Sequence, residues 1–223
     1  MRLAAAILLI STATTASATV YSLPGSTATV TPGAYAAVTT DLFDVNQGLT
    51  VISDSGYSYA GAGPTNMFGG LGGVYGDANN TLFRDGSPGG TVHFAIFSLP
   101  SPVTVGSIKM GFSQDGSAIT RGAAGYSLLG LQSPTDPGLV LSQATFADDY
   151  IAAYGDGNIA VEDTFPAFTG SYFRFNVVQR SDTFGPRVQE LDGFAAAVPE
   201  PSAAALALVG AAAACVIARR RNR

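Results

Sequence analysis

Four oxygen-bearing side chains fall close together in one Gly- and Tyr-rich stretch: Asp148, Asp149, Asp156 and Asn158. Calcium takes several carboxylate, amide and carbonyl oxygens, so this stretch is a candidate calcium site, although its spacing departs from the EF-hand loop. Asp77, Asn79 and Asn80 form a second set of the same kind. Asp and Asn are also the ordinary residues of turns, and no cofactor other than calcium is expected. The only histidine is His93 and the only cysteine is Cys215, near the C-terminus; a zinc site needs more such ligands. A serine hydrolase would have to use His93. No Gly-x-Ser-x-Gly elbow surrounds any serine, and His93 stands between apolar residues, as a packed or surface strand residue does. A glycosidase needs two carboxylates facing each other roughly 5–9.5 Å apart. Spacing singles out no such pair, and Glu162 and Glu190 are the only glutamates between residues 19 and 197. No catalytic constellation is recognised. Tyr57, Tyr59, Tyr75, Tyr150 and Tyr154 lie in or near expected loops. They either offer apolar planes with hydroxyl handles to carbohydrate, or staple the Gly-rich loops to the core.

The ends of the chain carry a different chemistry. Arg2, the apolar run 3–10 and the small-x-small triplet Ala16-Ser17-Ala18 have the order of a secretory signal cut by signal peptidase. The expected signal peptide is 1–18. At the other end stand Pro199-Glu200-Pro201, then an apolar run over 203–218, then Arg219, Arg220, Arg221 and Arg223. As a helix that run spans about 24 Å, short of the roughly 30 Å hydrocarbon core, so its flanks would sit at the headgroups. The arginines hold the terminus on the cytoplasmic side, which places the preceding domain outside the inner membrane. The prolines keep the helix from running up into that domain. Triplet, apolar span and basic terminus, in this order over residues 198–223, resemble the PEP-CTERM sorting signal. The resemblance implies recognition by an exosortase, removal of the tail near Pro-Glu-Pro, and delivery to the cell surface or exopolysaccharide matrix. A permanent single-pass anchor would share the same topology.

Between the ends lies one expected domain, 19–197. It holds 15 acidic and six basic residues, so the whole-chain charge of −5 conceals a more acidic middle. Such a domain does not bind nucleic acid or anionic membrane by bulk electrostatics. Without a cysteine it forms no internal disulfide. Trp is absent, Gly numbers 27, and short β-type runs alternate with Gly/Pro/Asp/Asn/Ser clusters, the pattern of an antiparallel sandwich or barrel. Strands are expected at 91–98, 103–112, 126–131, 139–146, 158–165 and 171–179. Both faces of 91–98 are apolar, which suggests a central strand between two sheets. The stretch 56–80, rich in Gly and Tyr, reads as a long loop.

Tyr172-Phe173-Arg174-Phe175 followed by Val188-Gln189-Glu190-Leu191-Asp192-Gly193-Phe194 resembles the end of discoidin-type, galactose-binding-like jelly rolls. The resemblance implies a last strand beside the first, with Asp41–Val45 as candidate opening strand, and ligand loops at one end. The expected fold is therefore an all-β antiparallel sandwich, jelly-roll-like, with a separate C-terminal transmembrane helix. The expected role is that of an exported surface or matrix protein, non-catalytic and structural or carbohydrate-associated. The alternatives are an extracellular polysaccharide hydrolase and a calcium-dependent adhesin.

Overall fold

The computed structural model describes residues 20–22, 27–33, 38, 40–69, 80–114, 121–146 and 157–196. The expected signal peptide 1–18 and the sorting tail 198–223 lie outside the described residues. The fold is all-β and antiparallel, as expected. Its strands are β1 (Val20–Ser22), β2 (Thr27–Pro32), β3 (Thr50–Asp54), β4 (Thr81–Leu82), β5 (Val92–Gln114), β6 (Ala123–Leu131), β7 (Leu139–Phe146), β8 (Gly157–Gln179) and β9 (Arg187–Ala195). Two short 3-10 turns, Val45–Gln47 and Pro64–Phe68, are the only helical elements among the described residues. None of these crosses a membrane: no described helix is long and apolar enough.

β5 and β8 are 23 residues each, several times the usual length of about 5–6 residues, and they pair end to end. Each contributes one half to each of two layers. The first layer runs β3-β5-β8-β6-β7-β1 and the second runs β2-β8-β5-β9-β4. The strands turn from one layer to the other at a corner, where Leu99-Pro100-Ser101-Pro102 stand opposite Ser171 alone, between the pairs Ser98↔Tyr172 and Val103↔Gly170. Proline has no N–H to donate, so two of them in four residues end regular pairing there and let the strand bend. The expected strands 91–98 and 103–112 are thus the two arms of β5, and 158–165 and 171–179 the two arms of β8.

Alternation puts one face of each arm inward. His93, Ala95 and Phe97 of β5 are buried, as are Ile159, Val161, Asp163 and Phe165, then Phe173, Phe175 and Val177, of β8. The expectation that 91–98 is a central strand between two sheets is corrected: it is interior to its own layer, between β3 and β8, and only one of its faces is buried. Phe94 and Ile96 point to the outer side, where only part of their surface is covered, and Arg174 lays its guanidinium over the Phe94 ring at 4.4 Å. The two layers meet in one apolar core. Phe112 of the second layer meets Phe146 of the first edge-on at 6.2 Å. A polar pin crosses the same core: Asp163 of β8 accepts hydrogen bonds from the Tyr126 hydroxyl at 2.9 Å and from Ser142. Burial, and next the Asp163 charge, push the Tyr126 phenol above its ordinary range, so it stays a neutral donor.

The candidate opening strand Asp41–Val45 is corrected as well. Asp41 Oδ1 accepts from the Phe43 amide at 2.6 Å and Asp44 Oδ1 from the Asn46 amide at 2.6 Å, and such local bonds curl the backbone instead of extending it. The segment still lies along the closing strand, through Leu42 N to Gly193 O at 2.8 Å and Gly193 N to Asp41 Oδ1 at 3.0 Å. As paired strand neighbours, however, β9 has β4 and β5.

The sandwich has two unlike ends. The corner end gathers the β5–β8 bend, the loop between β6 and β7, and the exit of the chain at Ala196, whose amide donates to Thr104 O at 3.2 Å. A Cβ on Gly106 would stand 2.6 Å from Ala196 Cα, so glycine at 106 is what lets the departing chain lie against β5. The opposite, open end gathers both termini of β5 and β8 and the segments 55–63, 83–91 and 180–187.

Candidate functional site

The exposed aromatic rings of the open end sit on a short ladder built from local rules. Asp54 Oδ1 accepts the Gly56 amide at 2.6 Å, and Gly56 takes φ 93°, a left-handed conformation that glycine adopts without strain. The turned chain then pairs with the segment after β4. Arg84 N donates to Gly56 O at 3.1 Å and Ser58 N to Leu82 O at 3.0 Å, with Tyr57 opposite Phe83. Side chains alternate in such a ladder. Ser58 turns inward, donating to Phe83 O and accepting from the Asp85 amide, both at 2.9 Å. Tyr57 and Tyr59 turn outward, 47% and 51% exposed. The far side of the loop is anchored by Met67 and Phe68, buried in the core. It is also held by Thr81 Oγ1, which donates to Gly63 O at 2.9 Å.

A charged clamp holds this ladder to the rest of the end. Arg121, 4% exposed, grips both carboxylate oxygens of Asp85 at 2.8 and 3.1 Å and donates to Gly185 O at 3.3 Å. Gly185 N donates back to Asp85 Oδ1 at 2.8 Å. Arg121 also lies 5.1 Å from the ring centre of Phe184, a third exposed aromatic. Burial alone would raise the Asp85 carboxyl. The Arg121 hydrogen bonds and charge, with the Gly185 amide and Ser58 hydroxyl, outweigh it and hold that carboxyl below the ordinary carboxylate value. A Cβ on Gly185 would stand 2.1 Å from Phe83 O, so the two segments touch only because position 185 has no side chain.

His93 lies directly beneath. Its Nε2 is 2.7 Å from Gln179 Oε1 and its Nδ1 is 3.4 Å from Ser55 Oγ. Gln179 spends its amide hydrogens on Ser87 O and Ser181 O, so its oxygen accepts and Nε2 carries the proton. Phe83 covers the ring at 5.5 Å and His93 is 2% exposed. Ser55 Oγ already accepts the Phe94 amide at 3.0 Å, and the third member is a neutral amide where a triad has a carboxylate. The chain Ser55–His93–Gln179 ties strands and loops together. His93 is the packed strand residue that its apolar neighbours suggested.

Of the calcium candidates, Asp148, Asp149 and Asp156 lie outside the described residues. Asn158 sits at the head of β8, half-buried, and its carbonyl accepts from Gly33 N at 2.8 Å. In the second set Asp77 and Asn79 lie outside, and Asn80 is buried. No group of three metal-ligating side chains occurs among the described residues. Glu162 is exposed on β8 and pairs with Lys109 at 2.5 Å, whereas Glu190 is buried on β9. Tyr75, Tyr150 and Tyr154 lie outside the described residues, as do Pro199, Glu200, Pro201, Arg219, Arg220, Arg221 and Arg223. Sequence reasoning missed the Asp85–Arg121–Gly185 clamp. Asp85 reads as an ordinary Asp-Gly turn residue, and its partners stand 36 and 100 positions away.

Residues 197–221 match the PEP-CTERM protein-sorting motif. The chain carries that motif, which implies an exosortase as processing partner, export, and membrane anchoring before processing to the cell surface. No curated protein matches the sequence. Among solved structures, the chain is similar to chitosan-binding module 1 of a chitosanase/glucanase from Paenibacillus sp. IK-5, with 19% identity and a TM-score of 0.48 over 69% of this chain and 98% of that one. It is similar to the family 32 carbohydrate-binding module of Streptococcus pneumoniae EndoD, with 15% identity and a TM-score of 0.47 over 70% and 100%. It is also similar to allantoicase from Saccharomyces cerevisiae, with 13% identity and a TM-score of 0.50 over 69% of this chain and 42% of that one. At such identities a likeness is one of fold.

Proposed function

We propose that this chain is an exosortase-sorted surface or matrix protein whose domain holds carbohydrate, without catalysis, on the tyrosines of its open end. In this reading residues 1–18 direct export and 203–218 form the transmembrane helix that holds the domain outside the inner membrane until processing. The sorting motif supports the address. The single observation that carries the activity is the pair Tyr57 and Tyr59. Two large rings stand about half exposed on a backbone fixed by Ser58, Asp85 and Arg121. Rings left open on rigid backbone lose little entropy on binding, and a phenol offers sugar both an apolar face and a hydroxyl.

The test is retention of the exported protein on exopolysaccharide purified from its host. Replacing Tyr57 and Tyr59 together by alanine is expected to weaken retention about 10- to 100-fold, as loss of roughly 1.4–2.8 kcal/mol of ring contact would. The fold should survive, because both side chains face solvent. Undiminished retention of the double variant would end the tyrosine reading. Release of new reducing ends by the wild-type protein would replace binding with hydrolysis.

A further inference from the structure

The corner end differs from the open end in charge. Along the described segments that form it, 45–50, 98–104, 131–141, 166–172 and 195–196, one side chain charged at neutral pH occurs, Asp136. Its carboxylate is taken up locally, accepting the Gln132 amide at 2.7 Å and the Gly138 amide at 3.2 Å. Asp44, at the head of the adjoining 3-10 turn, is buried. The same end exposes Leu139 at 63% and Val140 at 40%, the former the most exposed large apolar side chain among the described residues. Beside them opens an apolar groove of about 500 Å³ lined by Leu139, Val140, Leu141, Pro166, Ala167 and Phe168. The open end, by contrast, carries Arg84, Asp85, Arg121, Arg180 and Asp182.

The chain leaves the domain at this charge-poor end. Ala196 is hydrogen-bonded to Thr104 beside the corner, and the apolar run begins at Ala203. Seven residue steps reach at most about 25 Å when fully extended. Along β5 the corner at Val103 lies ten steps from Ser113 at the open end, or about 33 Å in a strand. Standing the domain on its open end would lift Ala196 by about 33 Å, further than the tether of about 25 Å reaches. Lying on a sheet face would press Arg174, or the Lys109–Glu162 pair, against lipid. We infer that the corner end, centred on Leu139 and Val140, is a membrane-contact surface, seated on the outer interface of the bilayer while the tail is in place. Weak apolar contact suffices, since a short tether keeps the surface at an effective concentration in the roughly millimolar range. The tyrosine pair then points away from the membrane, towards the matrix.

This inference rests on the reading of 203–218 as a membrane span, and the experiment separates the two. Full-length chain carrying Cys215→Ser with either Leu139→Cys or Tyr59→Cys is labelled with a fluorophore. Each is reconstituted into phosphatidylethanolamine–phosphatidylglycerol vesicles containing headgroup-depth spin-labelled lipid. The label at position 139 is expected to be quenched at least about threefold more than the label at 59, since interfacial contact places side chains within about 5–10 Å of the headgroup boundary. Equal quenching, in protein that resists alkaline extraction, would leave the span intact and overturn the seating. Extraction of the protein at alkaline pH would remove the span and the seating together. Cross-linking between two copies through position 139, with no quenching, would make this surface a dimer contact instead and overturn membrane contact.

Discussion

Phe97→Ala is expected to destabilise the domain by about 3–5 kcal/mol, the usual range for a buried phenylalanine cut to alanine. Phe97 has no exposed surface and is where three parts of the core converge. Its ring centre lies 4.7 Å from Phe68, 5.0 Å from Phe43 and 5.6 Å from Phe173. Those rings arrive from the turn that anchors the tyrosine loop, from the irregular segment beside β9, and from the pairing partner on β8. The cavity would have walls on separate elements, so it could not close by movement of one of them. For a domain of this size the midpoint should fall by roughly 10 °C. Val92→Ala on the same strand, at a half-exposed position, is the control and should change stability by under about 0.5 kcal/mol. Urea unfolding of both variants checks the pair. A Phe97 loss below about 1 kcal/mol would mean that the aromatic cluster does not carry the core.

Arg121→Ala should cost about 2–4 kcal/mol, somewhat under the range for breaking a fully buried ion pair because the Asp85 side chain keeps some contact with water. It also has a signature in pH. The folded Asp85 carboxyl is held below its ordinary value, so its contribution is present above the unfolded value near pH 4 and is lost as pH falls through the folded value. The variant should lose stability at pH 7 and show a flatter dependence between about pH 5 and pH 2. Asp41 has the opposite sign. Burial, partly offset by the Gly193 and Phe43 amides, raises its carboxyl, so its charged form weighs against folding at neutral pH and protonation relieves it. Asp41→Asn keeps an acceptor for both amides and should stay within about 0.5 kcal/mol of the wild type at pH 7. The clamp loss should also blur the tyrosine platform. Retention on exopolysaccharide is expected to fall in Arg121→Ala, even at temperatures where the domain is folded.

Strands dense in apolar residues and bounded by turn residues were legible in the sequence. The expected 139–146 coincides with β7, and 126–131 lies within β6. The arms of β5 and β8 were legible too, but not their continuity. Leu99-Pro100-Ser101-Pro102 has the composition of a turn, and nothing local says that the chain passes through it into a second layer. β1, β2, β3 and β4 went unseen. They are short, and in β2 (Thr-Ala-Thr-Val-Thr-Pro) the inward residues Ala28 and Val30 are small and alternate with threonine, a weak signal of a buried face. Asp41–Val45 misled for the reverse reason: Leu, Phe and Val suggest a strand, while two aspartates bend the backbone locally. The candidate site divides in the same way. Tyr57 and Tyr59 stand out among glycines, whereas the Ser58–Asp85–Arg121–Gly185 clamp depends on contacts between residues up to 100 positions apart, beyond the reach of any periodicity.

The most direct measurement is the intact mass of the protein recovered from the envelope and medium of its native host. The sorted-surface account predicts a species that begins near Thr19 and ends between Pro199 and Ser202, with or without added mass. A species that remains in the membrane fraction and still carries Arg223 would contradict it.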